Sequence, residues 1–156
     1  MKLLIKQRVF SWTDTYDVYD EFGVARYYVK ADFFSLGHVI HIYRKDTGEE
    51  VGLIRQRILS FLARFDMECQ GYVVGTIKKR LTLFKPAYDI DCNGWYVEGD
   101  FWGWNYSVRS GGQEILYINK ELFNWGDTYA LHITDPANEI AALMLVLAID
   151  AANCSK

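Results

Sequence analysis

Ile140-Ala141-Ala142-Leu143-Met144-Leu145-Val146-Leu147-Ala148-Ile149 is apolar on every face that a helix would present. Such a helix must be enclosed by protein or by lipid. A run of this length rises only ~15 Å, about half of a hydrocarbon core, so enclosure by protein is the reading. Asp135 is placed to cap the N-terminus and Pro136 falls at the first helical position, where its missing N–H costs nothing. A helix is therefore predicted over roughly 136–152, buried in the core. Each large side chain that it buries is worth ~1.5–3 kcal/mol, the largest driving force that the chain offers.

What surrounds this helix is read from the rest of the chain, where alternation dominates. Tyr16-Asp17-Val18-Tyr19, Val39-Ile40-His41-Ile42-Tyr43 and Tyr72-Val73-Val74-Gly75-Thr76-Ile77 are aromatic or β-branched runs of strand length. Turn chemistry separates such runs at Asp20-Glu21-Phe22-Gly23, Lys45-Asp46-Thr47-Gly48, Cys92-Asn93-Gly94 and Ser110-Gly111-Gly112. The count is about a dozen short strands, at the spacing of an antiparallel barrel or sandwich. The fold class predicted is mainly β: a closed antiparallel barrel around a buried hydrophobic C-terminal helix, one domain over 1–156.

The chain repeats itself. Tyr28-Val29-Lys30-Ala31-Asp32-Phe33-Phe34-Ser35 returns as Tyr96-Val97-Glu98-Gly99-Asp100-Phe101-Trp102-Gly103, and Gly48-Glu49-Glu50-Val51-Gly52-Leu53-Ile54 as Gly112-Gln113-Glu114-Ile115-Leu116-Tyr117-Ile118. The copies run roughly over 16–68 and 88–133. They read as two halves of one sheet, since neither half alone could cover the helix. Ile54 and Ile58 correspond to Ile118 and Leu122, so that parity stays apolar and is expected to face inward. The opposite parity changes from Arg55 and Arg57 to Asn119 and Glu121, and is expected to face outward.

Composition bounds the partners. Of 156 residues, 51% are hydrophobic and 16% aromatic, enough for one substantial core. A net charge of −3 argues against a dedicated nucleic-acid binder, which needs a basic field. Cys69, Cys92 and Cys154 are odd in number and lack C-x-x-C spacing, so they read as reduced thiols of a cytoplasmic protein. The start Met1-Lys2-Leu3-Leu4-Ile5-Lys6 is too short an apolar run for a signal peptide, and no run is long enough to span a bilayer.

The opening Ile5-Lys6-Gln7-Arg8-Val9-Phe10-Ser11-Trp12, followed by Tyr16-Asp17-Val18-Tyr19, resembles the start of the LURP-one-related family, called YxjI in bacteria. The ending resembles it too: Tyr129-Ala130-Leu131-His132-Ile133, then Asp135-Pro136 leading into Ala142 to Asp150. The resemblance covers essentially the whole chain. It implies the fold shared with the Tubby C-terminal domain and the phospholipid scramblases, a twelve-stranded barrel threaded by a hydrophobic helix. It implies no activity, because the bacterial branch has no general assigned function. Tubby domains bind phosphoinositides through surface basic residues, and scramblases act on lipids in membranes. This chain is without the scramblases' long N-terminal extension and offers no clear match to Tubby's lipid-contacting residues, so no functional residue is carried over.

The residues themselves assemble no active site. His38-x-x-His41 lies in a strand, where i and i+3 point to opposite faces, so a shared metal is not expected, and His132 has no visible partner. Asp32 and Asp100 are equivalent in the repeat, and a turn role, satisfying backbone donors, is expected for each over acid–base chemistry. The aromatic cluster Trp95, Tyr96, Phe101, Trp102, Trp104 and Tyr106 cannot all point inward. Lys78-Lys79-Arg80, with Lys85 nearby, is the densest basic run; alternation sends Lys78 and Arg80 one way and Lys79 the other. With Arg55 and Arg57 it forms the candidate binding set for an anion or lipid headgroup. No catalytic residue, metal or cofactor is expected. The expected function is a non-catalytic binding or scaffold module that meets an anionic lipid surface or another protein through an outer basic face, at the membrane periphery in the first case. The alternatives are a scramblase-like lipid handler and an enzyme of unrecognised type.

Overall fold

The structure, a computed structural model, describes residues 1–6, 15–34, 37–84, 87–100, 102–123 and 126–154. Residues 7–12 of the opening motif, with Ser35, Lys85 and Phe101, lie outside the described residues. Twelve strands precede one helix: β1 (Lys2–Lys6), β2 (Thr15–Asp20), β3 (Ala25–Phe34), β4 (Gly37–Arg44), β5 (Glu50–Gln56), β6 (Arg64–Cys69), β7 (Tyr72–Arg80), β8 (Ala87–Asp91), β9 (Tyr96–Asp100), β10 (Asn105–Ser110), β11 (Gln113–Phe123) and β12 (Gly126–Ile133). They form a single antiparallel sheet in the order β8-β7-β6-β5-β4-β3-β2-β1-β12-β11-β10-β9, a nearly closed barrel. The repeat places β3 in correspondence with β9 and β5 with β11.

Turn residues act where the sequence puts them. Asp20 closes the β2–β3 hairpin, its carboxylate accepting from Phe22 N and Val24 N at 2.9 Å, with Gly23 at φ +81°. Ser110 leads into Gly111 and Gly112, both at positive φ, between β10 and β11.

The helix begins as predicted. Asp135 Oδ1 accepts from Ala137 N at 2.9 Å and caps a 3-10 turn, Pro136–Asn138, which runs into α1 (Glu139–Cys154). Turn and helix together exceed the apolar run, so by length and composition the segment could cross a membrane. Its burial accounts for its composition instead, because every residue from Ala142 to Ala152 is buried. Glu139 in its first turn holds Arg26 of β3 at 3.2 Å, a carboxylate at the favourable end of the helix dipole. Gly52 of β5 leaves room for the helix: a Cβ there would lie 2.7 Å from Met144 Sδ.

Inward side chains alternate as expected, with Ile54 and Ile118 fully buried. Ile58 and Leu122 depart from the expectation, at 48% and 83% exposed. β5 ends at Gln56, before Ile58, and the β11–β12 hairpin carries Leu122 past the rim of the core. Parity alone does not bury a side chain; it must also lie level with the helix.

Candidate functional site

Antiparallel order puts the C-terminal ends of the odd-numbered strands at one end of the barrel, called here the far end. The helix enters at the opposite end. Two neighbouring far-end connections, 57–63 after β5 and 81–84 after β7, hold the most exposed apolar side chains among the described residues: Leu59 98%, Phe61 93%, Leu83 92% and Phe84 95%. Leu81 and Ile58 are exposed beside them. The sequence reading named none of these as functional, although a large apolar residue inside a turn region was the available signal.

Beneath these tips the outer faces of β5–β8 gather the basic residues. Register sets Arg55 opposite Asp66, and Arg64 opposite Lys78, which itself lies opposite Asp89. Arg57 continues that second row, its N–H donating to Arg64 O at 2.8 Å. Arg55, Arg57, Lys78 and Arg80 thus share one face, and Arg64 joins them. Lys79, on the inward parity, is half-buried across from Tyr88.

The face is laced with carboxylates. Arg55 pairs with Glu68 at 3.3 Å, Arg57 and Arg64 both hold Asp66 at 3.0 and 3.1 Å, and Arg80 pairs with Asp89 at 3.1 Å. Five cations (Arg55, Arg57, Arg64, Lys78, Arg80) share these outer faces with four carboxylates (Asp66, Glu68, Asp89, Asp91), leaving an excess of one positive charge there. Lys78 makes no ion pair among the described residues.

The other sequence candidates separate. His38 and His41 stand on opposite faces of β4; burial lowers the His38 pKa, while His41 lies 3.2 Å from Glu50 on the outside. His132 contacts Asn119 at 2.9 Å and Glu121 at 3.6 Å. Asp100 takes the turn role, accepting from Gly103 N at 3.0 Å. Asp32 does not: β3 runs straight through it, and its carboxylate pairs with Lys30 at 3.3 Å. Trp95, Trp104 and Tyr106 are buried, whereas Tyr96 and Trp102 face out.

A cleft of about 290 Å³ opens between β8 and β9, lined by Tyr88, Ile90, Trp95, Tyr96 and Val97 and floored by Ile149 of α1. A second, of about 450 Å³, lies where the helix enters, among Met67, Cys69, Cys92 and Met144. Cys69 Sγ stands 3.5 Å from Met144 Sδ, and burial pushes the Cys92 thiol up to about 11.

A family model described as LURP-one-related matches residues 1–150. The chain belongs to the LURP-one-related family. It is 27% identical over 150 residues to the uncharacterized protein YxjI of Bacillus subtilis, covering 96% of this chain and 92% of that protein. The X-ray structure of a protein from Arabidopsis thaliana superposes with a TM-score of 0.61 at 15% identity, over 96% of this chain and 90% of that one. The barrel with its C-terminal helix is thus the fold of a LURP-one-related protein, and family membership brings no assigned activity with it.

Proposed function

We propose that this LURP-one-related barrel is a non-catalytic binding module that docks by its far end onto an anionic membrane surface. The observation that carries the reading is the adjacency of exposed apolar loop tips, Leu59, Phe61, Leu83 and Phe84, to a face with excess positive charge. A monomeric surface rarely leaves such a patch bare without a use. Apolar side chains inserted at the headgroup boundary gain burial, and each nearby cation adds ~1 kcal/mol at an anionic leaflet. Cations already paired to carboxylates give less than this, so Lys78 counts for most. Docking is favoured over lipid translocation because α1 and the inward side chains occupy the barrel interior.

Flotation with phosphatidylcholine vesicles, with and without phosphatidylglycerol, tests it. Protein should float with the anionic vesicles at low salt and be released as salt shortens the field to about 8 Å. Phe61→Ser with Phe84→Ser, or Lys78→Glu with Arg80→Glu, should abolish flotation at a nearly unchanged melting temperature. Wild-type protein that ignores anionic vesicles at low salt would refute the proposal.

A further inference from the structure

The barrel has one seam, and its position is informative. β8 and β9 are consecutive in sequence, joined by the short turn Cys92–Trp95 with Asn93 and Gly94 at positive φ, yet they stand at opposite ends of the strand order. Their counterparts in the first repeat, β2 and β3, form an ordinary paired hairpin. The turn is competent, so the strands themselves must explain the gap.

Charge is one contribution against closure. Asp89 and Asp91 of β8 and Glu98 and Asp100 of β9 are all exposed. Folding the hairpin shut around its turn would bring Asp91 opposite Tyr96, Ile90 opposite Val97 and Asp89 opposite Glu98. Like charges directly opposite one another destabilise a ladder. The β2–β3 pair has no such clash: Thr15 faces Lys30 and Asp17 faces Tyr28. Arg80 holds Asp89 at 3.1 Å and Arg109 reaches Glu98 at 4.0 Å, so two guanidiniums offset four carboxylates and the rim stays acidic.

Between the strands lies the cleft of about 290 Å³, where Tyr88, Ile90, Val97 and Ile149 supply apolar lining beside the polar Arg80 and Asp89. It is bounded by two strand edges that bond no second strand among the described residues. Natural sheets cover or charge such edges, and an edge left open is a template for an added strand. We propose that the β8–β9 seam takes up one extended segment of a partner protein, with apolar side chains facing the cleft and basic ones alternating between Asp89, Asp91, Glu98 and Asp100. This goes beyond the membrane reading and does not depend on it.

The probe is a short blocked peptide of alternating valine and lysine, with two controls: glutamate in place of lysine, and proline in place of the central valine. In the free protein, amide exchange by NMR should be fast in 87–91 and 96–100, apart from groups bonded to β7 and β10. The lysine peptide should slow it there and shift the Ile149 methyl signals; both controls should bind roughly tenfold or more weakly. Glu98→Lys removes the Asp89 clash, so it should close the seam, protect those amides without peptide and abolish binding; Asp91→Lys should weaken binding alone. Seam amides already protected in the free wild-type protein would overturn the proposal. So would lysine and proline peptides that bind equally well, which is charge attraction only, or concentration-dependent self-association that protects the seam, which would make the occupant a second copy of this chain.

Discussion

Asp66 sits on the outer side of β6 at only 3% exposure, held by Arg57 and Arg64. The outer cations are therefore not equivalent. Removing Arg57 takes one of two partners from a buried carboxylate, whereas Arg80 pairs with an exposed Asp89. Urea denaturation should show Arg57→Ala costing about 1–3 kcal/mol and Arg80→Ala about 0.5 kcal/mol or less. Equal costs would mean that Asp66 does not rely on Arg57. Alternation along β5 makes Arg55 legible as outward-facing, but its carboxylate neighbours come from the β5–β6 register, which no single strand encodes. Cys92 is similar: its turn is legible, its burial is not. Burial raises its pKa from 9.0 to about 11, with Asp91 and Cys69 adding to the shift. The folded state favours the neutral thiol, so this contribution to stability is complete below pH 9 and is lost as pH rises through about 11. Tyr27, buried and raised from 10.0 to about 12 chiefly by desolvation, adds a loss in the next interval. Stability should therefore fall above pH 9, and in a Cys154→Ser background Cys92 should resist alkylation at pH 8. Rapid modification of Cys92 under native conditions would contradict its burial.

The helix was the most legible element, because a run apolar on every side has few places to go. Its cap, its first proline and its burial all follow from 135–152. Leu145 is fully buried between strands. Leu145→Asp would place an unpartnered charge there at a cost of several kcal/mol, comparable with the whole stability of an ordinary domain. Soluble Leu145→Asp protein that melts like wild type would refute the buried helix. Strand ends were less legible than strands. Ile58 and Leu122 carry the right parity but lie beyond the level of the core, and height along the barrel is set by the whole sheet. The β8–β9 pair was harder still: Cys92-Asn93-Gly94 is a good turn, and only the facing of Asp89 to Glu98 argues against the hairpin it would close.

Twelve strands in one sheet and a helix share one core, and they are expected to unfold as one cooperative body. With β1 and β7 added, the two copies become the halves β1–β6 and β7–β12, which meet at β6–β7 and β1–β12, and the core around α1 draws on both: Val29, Ile42 and Ile54 from the first, Val108, Leu116 and Ile118 from the second. Neither copy has enough inward surface to cover the helix, and each alone would expose a sheet edge where it now meets its twin. Duplication therefore does not imply two domains. Equilibrium unfolding in urea should give coincident transitions by tryptophan fluorescence, weighted to the second copy by four of the five tryptophans (Trp95, Trp102, Trp104 and Trp125), and by far-ultraviolet circular dichroism, which reports on both copies. The slowest-exchanging amides of β3–β5 and of β10–β11 should open with the same free energy, because no partial unfolding can release one copy and leave the helix covered. A fluorescence transition that precedes the dichroism change, or a first copy that stays protected after the second has exchanged, would show that the halves are separable. The helix would then belong to one of them alone, which its contacts with β5, β6, β7 and β12 argue against.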